Sequence, residues 1–270
     1  MKNIKAAKPV YFENLDALRF IAFFAVFIQH IFKVSYYKSD NKTASDLIDR
    51  FLMNANSGVS FFFVLSGFLI TYLLLQEKKN TATISFSTFY VKRTLRIWPL
   101  YFLILFITFV LVPYFSYYKG SPETDKSLYV FFLGNFDLVK HGVGNFLSSI
   151  LWSISIEEQF YLFWPLLIAF IPLKQLSKFL IVLVIFSIWY RIYGHSGKSF
   201  NLKLSYHTFS CLYTLAIGAI LAHLSFKENV MLKIKNMNKY FIILIYLIGF
   251  VLLFTHYDIL KLEPRGSHYL

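Results

Sequence analysis

Charge is scarce in this chain. Only 15% of its 270 residues are charged, where a soluble protein carries about 25%. Acid is scarcer still, with 14 Asp and Glu against 27 Lys and Arg and a formal net charge of +13. Cysteine is nearly absent. Cys211 stands alone, which excludes an intrachain disulfide and a cysteine metal cluster, and it reads as a small packing residue within a helix. The sequence has no Gly-rich nucleotide loop, no His-x-x-x-His pair and no Gly-x-Ser-x-Gly elbow. A metalloenzyme or serine-hydrolase reading therefore has no support, and no metal is expected. No internal repeat is evident, which weakens a transporter built from repeats.

What the chain has in abundance is apolar residues, 57% of the total, with 20% aromatic. They cluster in runs of membrane-spanning length, so the expected fold is all-α, a polytopic transmembrane helix bundle of about seven spans. The spans are placed at 16–36, 56–76, 96–113 (stopped by Pro113), 147–172, 177–194, 207–226 and 239–256. A short apolar piece from Leu128 to Phe136 cannot cross and reads as re-entrant or interfacial. One transmembrane domain is expected over 1–256, followed by a polar tail at 257–270.

Lys2, Lys5 and Lys8 precede Pro9 and a run too long for a signal peptide, with no small-residue cleavage site after it. That run reads as a permanent first span with its basic end in the cytoplasm. The short inside loops are denser in Lys and Arg, which also favours a cytoplasmic N-terminus. The basic residues flank apolar runs, so anionic membrane lipids rather than nucleic acid are their expected partners.

The first span, from Leu15 to Phe32, holds Arg19 and His30. A charge at the centre of a bilayer costs roughly 2.5–3.5 kcal/mol on insertion scales, so it needs a reason to be there. At about 100° per residue the two side chains share one helix face, and at about 1.5 Å per residue they lie about 16 Å apart along the axis. One face thus offers a fixed cation and a titratable base at two depths. Both a polar path and a reaction site fit that description.

Three further segments carry chemistry. Tyr90 to Tyr101 contains Arg93 and Arg96, three residues apart at the expected cytoplasmic edge of the third span. Two guanidinium forks there could clamp a phosphate, or could be ordinary positive-inside residues. Trp152 to Pro165 contains Ser153 and the adjacent acids Glu157 and Glu158, expected at the outer end of the fourth span. About 100° apart, one acid would face the bundle and the other water or headgroups. Such a pair could bind a sugar hydroxyl, or simply complement a helix dipole. Ser66-Gly67, in an aromatic helix, reads mainly as a close-packing pair. Asn135 and the loop histidines His141, His195 and His207 read as surface residues.

Taken together, four segments resemble the acyltransferase-3 family of integral membrane acyltransferases, and they come in that family's order. They are Leu15 to Ala22 leading to His30, Phe62 to Ile70, Tyr90 to Tyr101, and Trp152 to Pro165. The resemblance implies transfer of an acyl group, usually acetyl, from acyl-CoA as co-substrate to a hydroxyl on an envelope glycan or lipid-linked sugar. No permanently bound cofactor is implied. It makes His30 the catalytic residue, with Arg19 its helix partner and Glu157 the motif acid. Arg93 and Arg96 would hold acyl-CoA, with Ser153, Glu158 and Ser66 in support. The implied location is a bacterial cytoplasmic membrane, with a multi-pass chain. Family members usually have about ten spans, so this chain reads as shortened at its C-terminus. Two other readings stay open: a multi-span transporter or exporter, and an inactive truncated remnant of the family.

Overall fold

The computed structural model describes residues 12–36, 57–115, 124–144, 146–193 and 205–260. The N-terminal lysines, the loop at 37–55, His195 and residues 261–270 lie outside the described residues. The described residues are helical, with no strand among them. Each of the seven expected spans falls on a long helix. These are α1 (Glu13–Tyr36), α2 (Ser57–Thr81), α3 (Phe86–Phe106), α7 (Trp152–Phe170), α8 (Leu173–Tyr193), α9 (Thr208–Ser225) and α11 (Lys239–Leu260). Between them lie the short helices α4 (Lys126–Val130), α5 (Gly134–His141), α6 (Phe146–Ser149) and α10 (Glu228–Lys235).

Four stretches are long and apolar enough to cross a bilayer: Ser57–Thr81, Phe86–Phe115, Leu173–Tyr193 and Thr208–Ser225. Their outward faces keep large apolar side chains exposed. On α8 these include Ile181, Val182, Ile185 and Trp189. Water would penalise such a face, whereas lipid tails match it.

The chain divides into two compact units. One comprises Met1–Leu65 with Ile243–Leu270, and the other Ser66–Ile242. In the first unit, α1 runs unbroken past both Arg19 and His30. Its small residues Ala22 and Ala25 are buried. A Cβ added at Gly58 would sit 2.9 Å from the Ala22 carbonyl oxygen, so this helix pair meets through small residues.

The second unit shows two departures from the expected span limits. The third span starts ten residues earlier than expected, at Phe86 rather than 96. It also does not stop at Pro113. A π-helical turn over Ile107–Leu111 leads into Val112–Phe115. The wider turn gives room to a proline that lacks an N–H and crowds the preceding turn.

The segment after it does not cross, as its length implied. α4 and α5 fold back, and Phe132 stacks on Tyr101 with ring centroids 4.4 Å apart. Tyr101 and Tyr129 are buried there with Leu105 and Leu151. Asp125 caps α4 by accepting from the Ser127 hydroxyl and from the Ser127 N–H at 3.0 Å, and these bonds, the hydroxyl's foremost, hold its carboxyl below the usual carboxylate range.

Polar side chains join the long helices at defined points. Ser187 on α8 donates to Phe209 O at 2.6 Å and accepts from Tyr213 N at 2.8 Å, both on α9. Lys78, near the end of α2, donates to Ile168 O, Ala169 O and Ile171 O at 2.6, 3.0 and 3.0 Å. It thereby caps the carbonyl end of α7, where the helix dipole favours a cation. The Trp164 indole donates to Thr71 Oγ1 at 2.8 Å.

α2 and α9 approach still more closely. A Cβ at Gly67 would lie 2.0 Å from Leu215 O, so only glycine fits. Gly67→Ala is expected to cost about 1–3 kcal/mol by forcing the backbones apart. It should lower the melting midpoint of the detergent-solubilised protein. Gly249→Ala, where an added Cβ meets nothing within 4 Å, should leave that midpoint in place.

Candidate active site

α3 and α7 run antiparallel, and side-chain bonds fix their register. Tyr90 OH donates to Leu162 O at 2.7 Å, and Trp98 Nε1 donates to Glu158 Oε2 at 2.9 Å. Partner numbers fall on one helix as they rise on the other. The register brings Arg93 to the level of the two acids. Its guanidinium carbon lies 5.5 Å from the Tyr161 ring centroid, in cation–π range, and its charge acts on both Glu157 and Glu158. The basic and acidic segments therefore do not mark opposite mouths. The early start of α3 carries Arg93 about 10 Å into the helix, at about 1.5 Å per residue.

Glu157 is held from two sides. Ser66 Oγ on α2 donates to Oε1 at 2.7 Å, and Tyr161 OH, one turn further along α7, donates to Oε2 at 3.2 Å. Ser66 is thus more than a packing residue. Gly67, its neighbour, does the packing. Two hydroxyl donors suit the ionised form of the carboxylate, and they fix its direction.

Glu158 points a different way, as adjacent helix positions must. Its side chain is half-buried. Trp98 takes one oxygen, and the other, Oε1, is buried without a hydrogen-bond partner among the described residues. Arg96 is exposed, one turn from the half-buried Arg93, so only Arg93 of the arginine pair meets the acids. Ser153, in the first turn of α7, is half-buried.

Beside the acids lies a polar network that the sequence gave no hint of. Gln159 Nε2 donates to Phe132 O at 2.8 Å and to Asn135 Oδ1 at 2.9 Å. Gln159 Oε1 accepts from Thr208 Oγ1 at 2.6 Å, and Asn135 Nδ2 donates to Tyr206 O at 3.1 Å. Asn135 is fully buried, contrary to its expected surface position, because α5, α7 and α9 converge on it. His207 also departs from expectation. It caps α9 through Nδ1, which accepts the Phe209 N–H at 3.2 Å, and its Nε2 lies 3.0 Å from Tyr190 OH. His141 pairs through Nδ1 with the buried Asp137 at 2.8 Å.

Arg19 and His30 belong to the other unit and share the unbroken α1, as the spacing implied. The Arg19 side chain is 24% exposed and lies 3.5 Å from Asp16, one turn earlier. His30 is half-buried.

Comparison with known proteins places this arrangement. The profile of a family described as "Acyltransferase domain" matches residues 12–269. The chain belongs to the acyltransferase-3 family. Among curated proteins it is similar to the O-acetyltransferase OatA of Staphylococcus aureus strains NCTC 8325 / PS 47, COL and MRSA252. In each case identity is 30% over 232 residues, covering 81% of this chain and 35% of the relative. The chain thus spans about a third of the length of these relatives. No solved structure matches it. Family membership and the apolar helices together make it a membrane protein.

The resemblance seen in the sequence therefore holds at the level of family and fold. Tyr161 could have been found in the sequence, since it stands four residues after Glu157 and so shares its face. Trp98 could not, because its meeting with Glu158 depends on the register of two distant segments.

Proposed function

We propose that this chain transfers an acyl group, acetyl in the first instance, from acyl-CoA to a hydroxyl of a cell-envelope glycan or lipid-linked sugar. It would act as a multi-pass protein of the bacterial cytoplasmic membrane, with its N-terminus in the cytoplasm. The observation that carries this reading is the family match over almost the whole chain, together with the O-acetyltransferase activity for which its relatives are named. The geometry is compatible. A membrane helix carries a cation and an imidazole on one face, and a carboxylate is oriented by two hydroxyl donors, one from its own helix and one from α2.

In this mechanism His30 acts as general base or as transient acyl carrier. As a base, the neutral imidazole takes the proton of the acceptor hydroxyl while that oxygen attacks the thioester carbonyl. The tetrahedral oxyanion collapses, an ester forms, and the C–S bond breaks. The leaving thiolate then takes the proton from the imidazolium. Arg19 would bind the donor arm, since about 16 Å along the helix is too far for contact with a reaction at His30. Arg96, exposed on α3, is suited to a CoA phosphate. Arg93 lies beside two carboxylates, so its charge serves them as well as any phosphate.

Mass spectrometry of envelope glycans tests the proposal. Cells expressing the chain should carry base-labile acyl esters that cells without it lack. Identical ester content with and without the chain refutes it.

A further inference from the structure

The two adjacent acids of α7 are not equivalent. Both oxygens of Glu157 are occupied, one by Ser66 and one by Tyr161. Glu158 gives one oxygen to the Trp98 indole, and its other oxygen is buried and orphaned among the described residues. Native structures seldom leave a buried carboxylate oxygen without a donor, and a catalytic role or a bound molecule is among the reasons when they do. The atom is an acceptor in the ionised state, so the group that completes it must bring a hydrogen. A phosphate is excluded by like charge.

We infer that Glu158 Oε1 is a substrate contact that accepts a hydrogen bond from a neutral O–H or N–H donor, while Glu157 is a positioning residue. This rests on the acyl-transfer reading above, in which two parts of the substrates carry such a donor. They are the pantetheine arm of acyl-CoA, with its amides and hydroxyl, and the hydroxyl of the acceptor. Trp98 sets the selectivity. By taking Oε2 it leaves Oε1 as the oxygen without a donor, and it requires that both oxygens accept at once.

That double demand gives the test. A carboxamide has one accepting oxygen and two N–H donors, so Glu158→Gln cannot serve Trp98 and the substrate together. Trp98→Phe removes the competing donor and frees the carboxamide oxygen for substrate. The full chain is expressed in cells lacking their own copy, and acetate released from the envelope by base reads transfer. Coenzyme A, titrated into the detergent-purified protein, reads donor binding separately. Glu158→Gln should lower released acetate about tenfold or more. The double variant should recover most of the level of Trp98→Phe alone, a reversal that loss of packing would not produce. A matching fall in coenzyme A affinity assigns the acyl donor, and unchanged affinity with lost transfer assigns the acceptor hydroxyl.

Wild-type transfer by a folded Glu158→Gln protein overturns the inference, as does a double variant no better than Glu158→Gln. If Glu158→Gln fails to reach the membrane, the double variant decides, judged against Trp98→Phe in the same way. A wild-type chain that neither binds coenzyme A nor esterifies the envelope refutes the acyl-transfer reading itself, before any variant is compared.

Discussion

His30→Ala removes essentially all acyl esters from the envelope while the protein still accumulates in the membrane at its normal level. The argument runs from the helix outward. α1 has an apolar centre from Phe20 to Ile28, and its imidazole stands just past the end of that run. General-base catalysis is worth about 10²–10⁴ in rate, so its loss should bring transfer to the level of a strain without the gene. The substitution leaves α1 helical, because alanine is the best helix former and its methyl fits where a ring stood. Membrane fractionation and base-released acetate from the same cultures check the two halves of the expectation. Unchanged acylation in a normally accumulated His30→Ala protein would remove His30 from the mechanism.

The second large effect is expected at Glu157, with a graded pattern around it. Glu157→Gln should reduce transfer by about 100-fold or more, since the charge that Arg93 faces is lost and one hydroxyl donor meets an N–H instead of an oxygen. Ser66→Ala removes one of two donors and should cost about tenfold, consistent with one charge-assisted bond of about 1.5 kcal/mol. Glu157→Ala is a different experiment, because it strands the Ser66 and Tyr161 hydroxyls in the interior at about 1–3 kcal/mol each. Melting midpoints measured beside transfer separate the two causes. Loss of transfer at an unchanged midpoint places Glu157 in function, whereas a proportional fall in both places it in folding.

The Ser66–Glu157 bond explains why these segments belong together. They stand 91 residues apart, and each is weak evidence alone. A serine in an aromatic helix reads as packing, and an acid near a helix start reads as dipole compensation. The bond turns both into parts of one arrangement. Lys78 makes the same point for topology. Its ammonium is bonded to three carbonyl oxygens at the end of α7. A cation that caps a helix in this way has a structural reason to be where it is, independent of loop charge.

What the sequence by itself determined was the all-α membrane fold, the position of each long helix, the shared face of Arg19 and His30, and the family. These follow from local quantities: run length, a period of 3.6, and short motifs in fixed order. Only the tertiary structure decided which acid is saturated and which has an oxygen without a donor, and that Arg93 lies level with the acids. It also decided that Asn135 is buried and that the third span passes Pro113. Each depends on register between segments tens of residues apart, and no local pattern encodes that register. Packing sets it, through Gly67 against Leu215 and the bonds between α3 and α7.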